Sequence, residues 1–299
     1  MEYAIPVLNG LLLLLVSPFA EGCLRRMAAR LQSRQGPPLV QPYWDLLKLL
    51  GKENVEPGVA SFRLAPLLAF AAVLAAGALL PLGFQASALG RRLDLVTFIY
   101  LLALGGVAVL LGALSSRNIF AAVGASREMV TMMLLEPVLA MILLVGAVRA
   151  QSVGLEPIFQ AFSRGGWTPA LLLGAAVNLA ALQAFIGRQP FDLAEAESEI
   201  VEGPFIEYSG SSYALFRWYL MMKQLLYVWL LSSVFLAPAA TGNWLVDLGL
   251  QWLGIGVVYG LVGLVSFTNP RLRIDQAVRY YALLAVVGLT AVMLSAAGW

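Results

Sequence analysis

Apolar stretches of about twenty residues follow one another along nearly the whole chain, near 3–23, 64–84, 95–114, 129–148, 167–187, 215–237, 245–267 and 278–298. Each is long enough to cross a hydrocarbon core of about 30 Å as an α-helix rising roughly 1.5 Å per residue. Lipid offers the backbone no hydrogen-bond partners, so such segments must satisfy their own N–H and C=O groups by coiling into helices. The expected architecture is an all-α integral membrane protein with eight transmembrane helices, forming a single polytopic domain over residues 1–299. Composition agrees, with 60% of residues hydrophobic and 12% charged, about half the charge of a soluble domain. The first stretch lacks the positive flank of a secretory signal, Glu2 being its only early charge, and reads as a retained helix. The GxxxG pair Gly256/Gly260 reads as ordinary helix packing.

The same composition excludes several kinds of chemistry. A net charge of +2 gives no electrostatic support for a nucleic-acid partner. With one cysteine, Cys23, and no histidine, the chain cannot build a disulfide framework, a Cys-ligated iron–sulfur cluster or a His-ligated haem or zinc site. No cofactor is expected in this chain, and any electron transfer belongs to another subunit.

The lysines and arginines set an expected orientation. Arg25, Arg26, Arg30, Arg34, Lys48, Lys52 and Arg63 lie between the first two spans, Arg117 and Arg127 between the third and fourth, Arg188 between the fifth and sixth, and Arg271 and Arg273 between the last two. Arg91, Arg92, Arg149 and Arg164 are the basic residues of the alternate connections. The basic side is read as cytoplasmic, with both termini on the outer side of a cell membrane.

One connection on that side departs from the oily pattern. Gly187–Gly210, GRQPFDLAEAESEIVEGPFIEYSG, holds Asp192, Glu195, Glu197, Glu199, Glu202 and Glu207, six of the chain's seventeen acidic residues. Asp192 and Glu195 have capping-box spacing, which predicts a short helix from about Leu193 to Glu202, ended by Gly203-Pro204. On such a helix Glu195, Glu199 and Glu202 share one face and Glu197 lies opposite. The bland alternative is a solvated acidic loop, but the segment holds no lysine and carries Leu193, Ile200, Val201, Phe205 and Ile206, which suit packing on membrane helices.

Charge also enters the spans. Glu136, in MMLLEPVLA, sits about eight residues into the fourth span, where a carboxylate must face protein or water. Pro137 beside it removes a helical hydrogen bond and predicts a kink. Lys223 lies two turns into the sixth span, and Arg217, nearer the interface, can snorkel. Glu128 follows Arg127 at the mouth of the fourth span, and Glu21 stands four residues before Arg25 as an interfacial ion pair. Desolvation and mutual repulsion raise carboxylate pKa values, so this set suits an ion path opening on the basic side. The candidate path residues are Glu136, Asp192, Glu195, Glu197, Glu199, Glu202, Glu207, Lys223, Glu21 and Glu128.

At this point the motifs resemble a known family. RQPFDLAEAESEIVEGPFIEYSG resembles the R-x-PFD-x-x-EAE-x-E-L…EYSG signature of the eight-helix membrane subunit of respiratory complex I, and of its relatives in group 4 membrane-bound nickel–iron hydrogenases. LVQPYWDLLKLLGKENVEP resembles the family's amphipathic helix on the cytoplasmic side after the first span, FRLAP the start of its second span, and PRLRIDQ (Pro270–Gln276) the motif before its last. VGASREM and WYLMMKQ are more similar to the hydrogenase branch, which includes formate hydrogenlyase, hydrogenase-4 and CO-induced hydrogenase. One departure is Phe185, which stands where the family has a glutamate three residues before Arg188. Gln183, Asn178 or Glu136 are the candidates to bridge that gap through water.

The resemblance implies a non-catalytic, ion-translocating subunit (H⁺ or Na⁺) at the junction of a cytoplasmic redox arm and antiporter-like membrane subunits. Arg188, Arg127, Asp45, Lys48, Arg271, Arg273 and Asp275 would lie on the docking surface. Expected partners are hydrogenase large and small subunits and ferredoxin-like iron–sulfur subunits, which would carry the [NiFe] centre and the clusters. The alternatives are the corresponding membrane subunit of NADH:quinone oxidoreductase (complex I), where the same fold forms the quinone chamber, and a scaffold that moves no ions. A free-standing transporter fits less well.

Overall fold

The computed structural model describes residues 4–299, with the side chains of Arg164, Glu197 and Ser198 outside the described set. The apolar runs coil as expected, into α1 (Ala4–Leu31), α3 (Ala60–Leu79), α4 (Leu95–Ser115), α5 (Ile119–Ala150), α7 (Pro169–Phe185), α9 (Gly210–Phe235), α10 (Trp244–Thr268) and α11 (Ile274–Ala296). Shorter helices join them: α2 (Gln41–Leu50), α6 (Leu155–Arg164) and α8 (Glu197–Ile200).

The expectation of eight spans is corrected. Six helices among the described residues, α1, α3, α4, α5, α10 and α11, are long and apolar enough to cross a membrane. α7 is only 17 residues long, and in α9 Arg217, Lys223 and Gln224 interrupt the apolar run. α9 owes its place to protein rather than lipid, whereas α7 packs on α5, α9 and α11 and keeps Leu172 and Leu179 on an exposed face. α9 forms the middle of the bundle, packed by α1, α3, α7 and α10, and Phe216, Leu225, Leu226 and Trp229 on it are fully buried. Around it α3, α4, α5, α7 and α11 make a continuous wall. α5 runs unbroken through Pro137.

Close approach in this core depends on small residues. Gly77 of α3 lies where any Cβ would overlap the side chain of Leu13 in α1. Gly256 and Gly260, expected to pack a helix, instead border an apolar groove of about 300 Å³ between α1 and α10, and a Cβ at either would meet no described atom within 4 Å.

At the end opposite the acidic segment, the turn after α3 is fastened by buried polar side chains. Gln251 donates to the Pro81 carbonyl (3.0 Å) and to Ser233 Oγ (2.8 Å), and accepts from the Gly83 N–H (2.8 Å). Trp229 Nε1 donates to the same Pro81 carbonyl, and Asn9 to that of Leu80. These bonds satisfy backbone groups that a turn buried in apolar surroundings would otherwise leave unpaired.

The four signature motifs converge at the basic end. Tyr208 stacks on Phe62 at 3.9 Å between ring centroids and donates to the Phe62 carbonyl. Asn54 donates to Ser211 Oγ, and the Val55 N–H to Ser209 Oγ. Gly210 sits at φ +54° with a Cβ position that the Asn54 amide oxygen and the Glu53 carbonyl already occupy, so only glycine fits there. The Leu272 N–H donates to the Pro190 carbonyl (2.9 Å), which ties the segment before α11 to the acidic one.

Candidate functional site

The acidic segment does not form the expected helix over Leu193–Glu202. Only α8, four residues long, is helical, and it has no side-chain cap. The residue that would cap a longer helix is engaged elsewhere: Asp192 forms an ion pair with Arg271 at 2.8 Å. Consequently Glu195, Glu199 and Glu202 do not share a face. Glu199 points outward and accepts from Arg127 at 2.7 Å, and that guanidinium also donates to the Leu193 carbonyl (3.3 Å). Glu202 accepts from the Tyr213 hydroxyl at 3.0 Å, and Glu207 from the side chain of Asn118 at 2.6 Å. These three carboxylates fasten the segment to its surroundings. The expectation for Glu197 falls on a side chain outside the described set.

Glu195 turns inward. It borders a half-open polar cavity of about 390 Å³ between the segment, α1, α9 and the approach to α11. Glu21, Arg188, Asp192, Arg217, Gln224 and Arg271 also line that chamber, which sets three guanidinium groups against three carboxylates. Glu21 is held between Arg25 (3.3 Å) and Arg188, and Arg188 also donates to Gln224 at 3.1 Å. Glu21 therefore does not end α1, which continues ten residues further to Leu31, and its ion pair is shared with the PFD motif.

Two smaller cavities continue from the chamber. The first, about 30 Å³, shares the walls Asp192, Glu195 and Leu220 with it and adds Glu128, Thr131 and Lys223. The second, about 40 Å³, shares Glu128, Thr131 and Lys223 with the first and reaches Glu136. Each has room for at least one water molecule and offers several polar groups. Glu128 and Lys223 form an ion pair at 3.7 Å. From Glu128 to Glu136 is two turns of α5, about 12 Å along the axis. The order along the walls is thus Glu21 and Asp192, Glu195, the Glu128–Lys223 pair, then Glu136.

The helix α9 builds both parts of this arrangement. Arg217, Leu220, Met221 and Gln224 recur every three or four residues and face the chamber, whereas Tyr219, Lys223 and Tyr227 face the inner cavities. Arg217 and Gln224 are absent from the sequence-based set. The available signal was the helical spacing of three polar residues within one apolar segment. At the departure Phe185, the ring stacks on Tyr227 (5.1 Å) and walls the inner cavity. Gln183 does not bridge the gap, since it faces α10, donating to the Val262 carbonyl and accepting from Ser266.

Electrostatics separates the carboxylates. Burial, then the neighbouring charge of Asp192, raises Glu195 from 4.5 to about 7. Among the described residues it has no hydrogen-bond or ion-pair partner. Glu199, bonded to Arg127 and exposed, is held below the usual carboxylate range. Asp45 is also held low: the Arg25 guanidinium at 2.8 Å and Gln41 at 3.1 Å outweigh its partial burial. Of the other expected docking residues, Lys48 is exposed, and Arg273 and Asp275 form an exposed pair at 3.4 Å. Among the described residues no group of three or more His, Cys, Asp or Glu side chains is placed to hold a metal ion.

An all-helical bundle with six helices long and apolar enough to cross a membrane, a polar chamber at one end and carboxylates along the cavities that adjoin it, defines a multi-pass membrane protein. The chain belongs to the NADH dehydrogenase family, matched over residues 4–296, within the membrane-subunit superfamily shared by complex I and group 4 hydrogenases. It is 34% identical to formate hydrogenlyase subunit 4 of Escherichia coli over 97% of this chain and 100% of that one. It is 33% identical to the NADH-quinone oxidoreductase H subunit of Rubrobacter xylanophilus over 84% of this chain and 81% of that one. The membrane-bound sulfane sulfur reductase, an archaeal respiratory membrane complex, contains a chain of the same fold with a TM-score of 0.83 and 25% identity, covering 97% of this chain and 99% of that one.

Proposed function

We propose that this protein is the ion-coupling membrane subunit of a complex I-like redox complex in the cell inner membrane. A redox arm would dock on its basic, cytoplasmic end, and both termini would lie on the outer side. The observation that carries this reading is the unbroken sharing of walls from the polar chamber to Glu136. Protons would pass from Glu195 through water to the Glu128–Lys223 pair and on to Glu136. Glu136 is only partly buried, beside the exposed Met133. A carboxylate at that depth costs a few kcal/mol against lipid, so a second, antiporter-like membrane subunit would cover it and take the ion onward.

Two electron partners suit such a seat. The larger number of relatives, NADH-quinone oxidoreductase H subunits, supports a place in an NADH:quinone oxidoreductase, with the chamber contributing to the quinone site. The match along the whole length of formate hydrogenlyase subunit 4 supports the second reading, a [NiFe] hydrogenase arm with its iron–sulfur subunits. The ion path is common to both. Glu136→Gln is expected to leave the complex assembled and electron transfer active while lowering ion uptake into sealed vesicles tenfold or more, about 1.4 kcal/mol. Unchanged uptake per electron in both Glu136→Gln and Glu195→Gln would leave only a scaffold that moves no ions.

A further inference from the structure

We infer that the outer face of α2 and the basic tip of α1 together seat an anionic phospholipid from the surrounding bilayer. At 28 residues, α1 is about 42 Å long, so it outreaches a hydrocarbon core of about 30 Å. Its last turns, with Arg26 and Arg30, stand at headgroup level. The chain then folds back along α1: Gly36 packs against Arg26 and Ala29, and the Leu39 carbonyl lies against Gly22. α2 therefore starts well below the tip of α1. Tyr43 reaches lower still and donates to the Leu15 carbonyl, and Asp45 pairs with Arg25 at 2.8 Å.

This depth decides what covers α2. Its inner side is buried through Pro42 and Leu46. On its outer side Val40, Trp44 and Leu47 are 48%, 61% and 60% exposed. A soluble arm docks above the membrane surface, whereas this apolar face lies beside the upper half of a spanning helix, where lipid tails are.

The charge fits an anionic headgroup. Lys48 follows Trp44 by one helical turn on the same exposed face, and Lys52 lies just beyond the helix end. Arg26, Arg30 and Arg34 are exposed above them. None of these five cations has an ion-pair partner among the described residues, and the acids of the same stretch are Asp45, already paired, and Glu53. Apolar residues below unpaired cations match acyl chains below a phosphate. The inference does not depend on which redox arm the protein carries.

The test uses the purified complex in phosphatidylcholine nanodiscs containing an equal fraction of brominated phosphatidylglycerol or brominated phosphatidylcholine. The Trp44 signal is the fluorescence difference between wild type and Trp44→Phe. Brominated phosphatidylglycerol is expected to quench it more strongly than brominated phosphatidylcholine. Lys48→Gln and Lys52→Gln should each reduce that preference, about fivefold per lysine, with α2 still folded because both side chains are exposed. Equal quenching by the two lipids in the wild type would overturn the inference in favour of ordinary annular lipid. Absence of Trp44-dependent quenching by either would overturn it in favour of a protein covering the face.

Discussion

Glu195 and Glu199 stand four residues apart in one acidic run, yet their surroundings treat them oppositely. Glu199 is an exposed brace, bonded to Arg127 and held low. Glu195 lines two cavities and is raised to about 7 by burial and then by Asp192, so near neutral pH it exchanges its proton readily. Infrared difference spectroscopy should show a protonated-carboxyl band that disappears as pH rises through about 7, and that is missing in Glu195→Gln. Persistence of the band in Glu195→Gln would assign it to another carboxyl group. The stability effect has a definite sign. Because the folded value lies above the unfolded one, the folded state holds more protons between them, and this carboxyl lowers stability as pH rises from 4.5 to about 7. Glu195→Gln removes that slope, so its thermal midpoint should gain on wild type across this window and keep the gain above it. The sequence displays the six acids but not this division. What separates them is Arg271 for Asp192 and Arg127 for Glu199, partners 79 and 72 residues away.

At the scale of elements, the acidic segment is held by contacts between motifs rather than by local helix formation. Capping-box spacing predicted a helix, but tertiary ion pairing outweighs a local cap worth about 1 kcal/mol. Membrane helices were readable because burial in lipid writes itself into composition. The count of spans was not, because α9 is surrounded by other helices and α7 is only 17 residues long, and apolar runs look alike in lipid and in protein. The helix α2 was legible from its motif, and its pairing with Arg25 supports that reading. The glycine that joins the motifs offers a sharp test. Gly210→Ala must place a methyl group on the Asn54 amide and the Glu53 carbonyl at a positive φ. The left-handed backbone costs about 1–2 kcal/mol and the overlap about 1–3 more. Gly58→Ala, also at positive φ (+74°) but with open space at its Cβ, should show only the backbone cost. Denaturant titration in detergent, with protease cleavage within 186–209 as a second readout, separates the two. Equal losses would mean that the Asn54 contact contributes nothing to holding the segment.

For the whole molecule, the proposed reading would join a docking end to an ion path through one element, the segment from Arg188 to Gly210. Residues expected to dock and residues expected to line the path form ion pairs there: Arg188 with Glu21, Arg271 with Asp192, and Arg127 with Glu199. A redox arm that shifts any of these pairs would alter the charge and hydration around Glu195. In the proposed reading such coupling is reciprocal in free energy, so an ion gradient would push back on electron transfer. In sealed vesicles carrying the intact complex, collapsing the gradient with an ionophore should therefore speed electron transfer several-fold. Glu136→Gln, in which ions cannot complete the path, should remove that response, whereas Glu207→Gln, which changes only the brace to Asn118, should keep it. The arm that copurifies then separates the electron partners. NADH oxidation blocked by quinone-site ligands with no bound nickel marks the quinone oxidoreductase, and nickel with hydrogen evolution marks the hydrogenase. Gradient control lost in Glu136→Gln under either arm would tie coupling to this chain's own path. A response that survives Glu136→Gln unchanged would place the coupling in a neighbouring subunit and leave this chain as the seat alone.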